Sequence, residues 1–303
     1  METDLQGMSV GIIGYGRVGA VLGARLAAAG LSLTAVRDPR PVRKPPVPGH
    51  PDEFRRCRLV FLCVPDDGIV ETLVTAVNAR CFLPETVIAH TSGAFGPGIF
   101  PKELHEVFHF GAFHPMMAFP PDPAGAMPFQ GIGFSIDGDD TARRVLDRVA
   151  ARLGGFSVHV EESMRGLYHA AAVMASNFTV FLEQAAAELL EKTGLPPGQA
   201  RDLLDGLMRS VRHNIAGSSA KSALSGPAVR GDEHTLRRHR EELKSHAPDL
   251  LPLYDVLTLA IRASTGESPA LPSRTKSDKV SADFESEGTH DEKSNSRSHQ
   301  NNT

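Results

Sequence analysis

The 303-residue sequence is poor in cysteine, in net charge and in long apolar runs. Its three cysteines, Cys57, Cys63 and Cys81, are odd in number and sit at spacings that fit no common zinc template. Neither a disulfide framework nor a cysteine-rich metal site is expected, and no metal is assigned. A net charge of −4 offers no basic footprint for nucleic acid or for an anionic membrane surface. No stretch approaches the roughly 18 apolar residues of a membrane span. The opening METDLQGMSVGIIGYG puts acidic residues before an apolar run and has no basic leader, which argues against an export signal. Together these absences predict a cytoplasmic protein with reduced thiols that binds neither nucleic acid nor membrane. What remains, 41% hydrophobic and 22% charged, is globular composition, long enough for two domains.

Residues 8–38 read as strand, glycine turn, helix, strand. Ser9-Val10-Gly11-Ile12-Ile13 is a short apolar run, and residues 17–29 are rich in the helix formers Ala and Leu. Gly30 stands where a helix C-cap belongs, and 31–36 form the second strand. Pro39, Pro41, Pro45, Pro46, Pro48 and Pro51 then crowd a loop. Residues 59–64 are almost continuously apolar, as in a parallel strand buried on both faces. A helix follows Pro65-Asp66-Asp67, and further strands are expected at 86–90, 131–136 and 156–160, with a helix over 141–153. Strands alternating with helices predict a Rossmann-type α/β parallel sheet over residues 1–162. The texture then changes. Residues 164–192 read as one long helix stopped by Gly194, Pro196 and Pro197, and 199–216, 232–246 and 248–263 as three more. This predicts an all-helical second domain over 163–266. Residues 267–303 are mostly polar and predict a disordered tail.

Gly14-Tyr15-Gly16-Arg17-Val18-Gly19 matches G-x-G-x-x-G in the required setting, after an apolar strand and opening an Ala-rich helix. Gly14 permits the tight turn, Gly16 lets backbone approach a pyrophosphate, and Gly19 lets helix pack on strand. The helix N-terminus adds unpaired N–H groups and a positive dipole end. The pattern therefore predicts a nicotinamide dinucleotide held by residues 14–19. Counting from Gly30 places Arg37 at the end of the second strand, where NAD enzymes carry an acid and NADP enzymes an Arg nearby. Arg40, Arg43 and Lys44 follow, and would serve either a 2′-phosphate or a solvated surface. The expectation is NADP, with NAD the alternative should the acid position fall one residue on, at Asp38. Val64 and Pro65 end the third strand and should border the nicotinamide.

Ligands in open α/β sheets sit at the carboxyl ends of the strands. His90-Thr91-Ser92-Gly93 ends one of them, so Ser92 is a candidate for a substrate carboxylate or carbonyl. His114, in Phe113-His114-Pro115-Met116, is a candidate for proton exchange or carbonyl contact. In the helical half, His169 and Asn177 lie two turns apart on an otherwise apolar stretch. Polar groups there either find partners in the core or face a small-molecule substrate. Two other matches are set aside. His105-Glu106-Val107-Phe108-His109 fits the zinc-protease pattern H-E-x-x-H but has Pro101 and Gly111 close by and no third ligand. Arg230-Gly231-Asp232 reads as a turn in which Asp232 caps the next helix.

The segments GIIGYGRVG, FLCVPDD, HTSGA, FHPMMAF, YHAAAVMASNF and SGPAVRGD, followed by a helix with His239, resemble a bacterial family of Rossmann-like proteins. That family has a C-terminal helical domain of unknown function (domain of unknown function 2520). The likeness spans residues 8–262 and implies the fold and nicotinamide binding, but no reaction. The layout is more distantly similar to ketopantoate reductase, β-hydroxyacid dehydrogenases, pyrroline-5-carboxylate reductase, F420-dependent NADP reductases and proteins like the C-terminal domain of 6-phosphogluconate dehydrogenase. Against ketopantoate reductase, Asn177 matches the second of two Asn, while His169 replaces a Lys and Val173 the first Asn. His114-Pro115-Met116 is similar to the H-P-M segment of prephenate dehydrogenase, whose histidine contacts the substrate hydroxyl. The resemblance implies an oxidoreductase that moves a hydride between NADP and a small carbonyl, hydroxy acid or imine. His169 would then be general acid/base, Ser92 and Asn177 substrate contacts, and His114 a secondary one. The alternatives are a non-enzymatic NAD(P)-binding sensor or scaffold, which the missing Lys and Asn favour, and an F420-dependent NADP reductase. In the related reductases the helical domain pairs, which implies a homodimer here.

Overall fold

The computed structural model describes residues 5–38, 47, 49–218 and 222–266. Arg40, Arg43, Lys44 and the tail 267–303 lie outside the described residues. The chain divides into two compact units, Met1–Leu182 and Glu183–Thr303.

The first unit is built on a seven-stranded sheet in the order β2-β1-β3-β4-β5-β6-β7. Its strands are β1 Ser9–Ile13, β2 Ser32–Arg37, β3 Leu59–Leu62, β4 Val87–His90, β5 His109–Pro115, β6 Gly133–Gly138 and β7 Phe156–Val158. All neighbours run parallel except β5 and β6, which pair antiparallel with His114 opposite Ser135 and Ala112 opposite Asp137. Strands β3 and β4 are buried at every position, as central parallel strands are. Alternate residues feed two cores. Val10, Ile12, Phe61, Ala89 and Phe113 pack with α1 (Arg17–Ala28) and with Leu146 and Val149, which belong to the helix Asp140–Arg152. Ile13, Val60, Leu62, Ile88 and Phe110 pack with Phe54 of α2 (Pro51–Phe54) and with Ile69 and Leu73 of α3 (Ile69–Asn78). Each large apolar side chain removed from water in this way contributes about 1.5–3 kcal/mol. Asp139 caps the helix Asp140–Arg152, hereafter α4, accepting from Thr141 and Ala142 N–H at 2.9 and 3.0 Å.

Three features differ from the sequence reading, the first being that β6 runs antiparallel to β5 in an otherwise parallel sheet. β5 is an additional strand, and it occupies part of the H-E-x-x-H segment: His105 lies in a turn and His109 opens β5. The two histidines therefore share no helix. His109 instead bridges Glu85 (3.0 Å) and Asp139 (3.1 Å). The long helix 164–192 also contains a π-helical turn, Met174–Phe178, between α5 (Arg165–Val173) and α6 (Thr179–Lys192).

The remaining helices are α7 Pro197–Gly217, α8 Pro227–Arg230, α9 Glu233–His246 and α10 Leu251–Thr265. Gly231 takes the left-handed conformation (φ 67°) after α8, and Asp232 caps α9, accepting from Thr235 N–H at 3.1 Å. α9 and α10 are tied by His239 Nδ1 to Tyr254 OH (2.8 Å) and by Arg240 to Asp255 (2.9 Å). No helix among the described residues is long and apolar enough to cross a membrane.

Candidate dinucleotide and active site

The glycine turn joins β1 to α1 where the sheet's central strands end. Gly14 has φ +96°, and a Cβ on it would lie 2.4 Å from the Cys63 carbonyl oxygen. A Cβ on Gly19 would lie 2.0 Å from the Gly14 oxygen. Packing alone therefore demands glycine at both positions. Gly16 is different, because a Cβ there would meet nothing within 4 Å. Its φ of −74° and ψ of −151° suit any residue. Gly16 leaves open the cradle that a pyrophosphate needs. It is also the N-cap of α1 and offers no side chain to the first-turn N–H groups. That turn has no acidic residue and starts with the exposed Arg17, charges that suit an anionic ligand better than the helix dipole.

At the end of β2, the Tyr15 backbone N–H donates to Asp38 Oδ2 at 2.9 Å. The carboxylate that meets the glycine turn is thus one residue beyond the counted position, and Arg37 precedes it. Both line a cavity of about 830 Å³ with Gly14, Gly16, Val64 and Pro65. Its far side is α3, through Glu71, Thr72, Thr75 and Ala76. The size lies within the range of cofactor pockets. Cys63 also faces it. Burial pushes this thiol up to about 12 against a hydrogen bond from Thr91, so it is a neutral wall, not a nucleophile. All three thiols are free.

A second polar group gathers on the β4–β5–β6 surface beneath α5. His90 Nδ1 accepts from Ser92 N–H (3.2 Å) and Nε2 donates to the Gly96 carbonyl (3.1 Å), which fixes the neutral tautomer. Burial holds His90 down to about 4, with the Gly96 bond opposing and Arg165 assisting. Ser92 is buried, and its Oγ accepts from Ala94 N–H (3.1 Å) and Phe95 N–H (3.3 Å). Residues 92–96 are thereby a tied loop. Against it, a Cβ on Gly93 would lie 2.8 Å from His114 Nε2 and 2.9 Å from His169 Cδ2. His114 Nδ1 is 3.0 Å from Tyr168 OH, and the His114 and His169 rings meet edge to face with centroids 5.9 Å apart. Burial lowers His114 to about 4, with the charges of His169, Arg165 and His90 adding to it, while burial raises Tyr168.

Residues 2–107 match the Rossmann-like domain family, and residues 132–261 match DUF2520, a domain of unknown function. The chain carries a Rossmann-like domain and a DUF2520 domain. Among curated proteins none matches it. Solved structures share the fold. One is a Bacteroides fragilis protein described as a candidate NADP oxidoreductase, with 23% identity over 86% of this chain and 100% of that one, TM-score 0.72. Another is Plasmodium falciparum pyrroline carboxylate reductase with NADP bound, with 13% identity over 87% and 100%, TM-score 0.57. A third is the Aspergillus terreus reductive aminase in complex with NADPH4, cyclohexanone and allyl amine, with 15% identity over 87% and 97%, TM-score 0.55.

The DUF2520 match begins inside the sheet, so the family region includes β6, α4, β7 and α5 as well as the later helices. Of the residues singled out from sequence, His114 and His169 come together at the Ser92–Gly93 loop, and Ser92 organises that loop through its Oγ, which accepts from the Ala94 and Phe95 N–H groups. Asn177 is exposed in the π turn, accepts from Ser176 Oγ (2.9 Å), and shares no hydrogen bond with the histidines among the described residues. Tyr168 and Arg165 were not singled out. Their signal was the spacing Arg165, Tyr168, His169, which puts three polar side chains on one helix face.

Proposed function

We propose that the cavity binds a nicotinamide dinucleotide and that the chain is an oxidoreductase acting on a small polar carbonyl, hydroxy acid or imine. The observation that carries this reading is Gly16, a glycine that packing does not require, set between two that it does. Gly16 and the first turn of α1 would hold the pyrophosphate, and Val64 and Pro65 would border the nicotinamide. The nicotinamide, when bound, supplies or accepts the hydride. His169, half-buried on the Gly93 loop, exchanges the proton with the substrate oxygen or nitrogen. His114 orients that atom, and the Ser92 loop and Asn177 complete the substrate side. Fold neighbours named for NADP, pyrroline carboxylate and reductive amination agree with this reading.

Although the carboxylate that meets the glycine turn is Asp38, NADP is the preferred cofactor, since Arg37 lines the same cavity edge as a planar partner for a 2′-phosphate. Asp38 supports a second reading, NAD, because a carboxylate closing β2 suits a ribose 2′-hydroxyl. Titration with NADPH and NADH separates them. NADPH should bind more tightly, and Arg37→Ala should weaken NADPH by about 10–100-fold while sparing NADH. Tighter NADH binding that Arg37→Ala leaves unchanged gives the site to NAD. For the reaction, absorbance at the reduced-nicotinamide band is followed with a panel of carbonyls, hydroxy acids and imines. His169→Ala should abolish single-turnover transfer, and full transfer in that variant rules His169 out. Saturable binding without transfer to any member assigns a sensor instead.

In the same reading two copies of the chain associate through the helical region, where α7 exposes Leu203, Leu207, Val211 and Ile215 at four-residue spacing.

A further inference from the structure

Arg165 is the first residue of α5, three and four positions before Tyr168 and His169. Its side chain is 0% exposed. Its Nε, Nη1 and Nη2 have no hydrogen-bond partner among the described residues. Asp137 of β6 approaches as an ion-pair partner at 3.7 Å, beyond hydrogen-bond reach. Gly96 makes the room, since a Cβ there would lie 3.2 Å from Arg165 Nε and 3.0 Å from Glu162 Cδ. A buried cation so sparsely bonded is a poor source of stability, because apolar replacements of buried pairs are often neutral or better. Its placement suggests another use. Its charge acts on His90, His114 and Tyr168 together.

We propose that Arg165, held by Asp137, is a positioning residue for the Tyr168–His114 hydrogen bond. Its fixed positive charge makes Tyr168 the donor and His114 Nδ1 the acceptor. The ring proton of His114 then stays on Nε2, the nitrogen turned toward Gly93. This rests on reading the Gly93 loop as the substrate side of the site. A cation beside an imidazole opposes a second proton on the ring, and beside a phenol it polarises the O–H bond outward. With Nδ1 occupied as acceptor, Nε2–H is a donor of fixed direction, suited to a substrate carbonyl or carboxylate oxygen. The groups acting on the pair are His90 from β4 and Arg165 and His169 from α5, and Arg165 is itself faced by Asp137 from β6 and Glu162 from the turn before α5. Asp137 and Glu162 temper the charge on Arg165, while His90 and His169 oppose protonation of His114.

A titration without cofactor or substrate tests this on the full chain. Nitrogen-15 NMR of labelled histidine reads the tautomer and charge of His114, assigned among the 13 histidines by its loss in His114→Gln. The chain has no tryptophan and three tyrosines, so tyrosinate absorbance follows Tyr168, identified by Tyr168→Phe. The expected wild-type result is a proton on Nε2 and a His114 midpoint near 4. Arg165→Met should raise the His114 and Tyr168 midpoints by about one pH unit each, and Arg165→Lys should restore them. Asp137→Asn should lower both. A wild-type proton on Nδ1, or Arg165→Met midpoints equal to wild type, overturns the proposal. Should circular dichroism find Arg165→Met unfolded, Asp137→Asn decides, and unmoved midpoints there also overturn it. Because no dinucleotide or substrate enters, a chain that fails to transfer hydride leaves this outcome intact, and the two failures are separable.

Discussion

Three glycines in one turn carry three different physical loads, and single substitutions separate them. Alanine at Gly19 would press its methyl into the Gly14 carbonyl, a contact that only backbone movement relieves. Gly19→Ala should therefore lower thermal stability, by about 1–3 kcal/mol for an overpacked site. Alanine at Gly16 meets nothing, so Gly16→Ala should leave the melting temperature within a degree or two. Its methyl fills the cradle, and dinucleotide affinity should fall at least tenfold by calorimetry. Unchanged affinity in Gly16→Ala would mean that the turn holds no phosphate. His90 gives a second prediction at this scale. Its native value near 4 lies below the ordinary 6.5, so between these limits the unfolded chain binds the extra proton. Stability is full above pH 6.5 and falls as pH drops toward 4, by at most about 1.4 kcal/mol per pH unit from this residue. Urea midpoints at pH 7, 6 and 5 should show the decline, and His90→Gln should flatten it. An equal slope in both proteins assigns the loss elsewhere, with His114 the next source.

At the scale of elements, periodicity found the central strands and missed β5, for physical reasons. Leu59-Val60-Phe61-Leu62 and Val87-Ile88-Ala89 are apolar throughout because both faces are covered. β5 reads His-Phe-Gly-Ala-Phe-His-Pro, with a glycine that Leu146 covers and a histidine turned to the polar cluster. Strand direction leaves no mark on period, so the antiparallel β6 was not readable either. It is this reversal that sets Ser135 opposite His114 and Asp137 opposite Ala112. The helix face Arg165-Tyr168-His169 was readable in spacing, but a charged residue opening a helix usually signals solvent, and only the fold buries it. The π turn was invisible too, and it bears on Asn177. In an unbroken α-helix eight residues overshoot two turns by about 80°. One extra residue in the turn makes the pair behave more like seven, about 20° short of two turns. Asn177→Ala should lower kcat at least tenfold while leaving dinucleotide affinity and helix content unchanged. An unaltered kcat would detach Asn177 from the reaction.

For the whole molecule the decisive quantity is apolar surface left in water. α7 buries only Ala200 and Leu204, while Leu203 and Leu207 are 55% and 57% exposed and Val211 and Ile215 continue the same stripe. α10 buries none of its residues, and Val256 is 62% exposed. Four apolar side chains on one stripe are worth several kcal/mol if covered, since each contributes about 1.5–3 kcal/mol. A continuous stripe of this kind marks an interface more often than a bare surface. A second copy of the chain supplies the same stripe in return, which is the self-complementary arrangement of a two-fold dimer. Sedimentation at micromolar concentration should accordingly give twice the chain mass. Leu207→Glu places a charge in the centre of the stripe and should weaken association by about 10–100-fold, seen as a shift to monomer on dilution. The glycine turn, the end of β2 and α3 all belong to the first compact unit, so the Leu207→Glu monomer should still bind dinucleotide. A wild-type monomer at high micromolar concentration would leave the stripe exposed in solution and remove the dimer from this account.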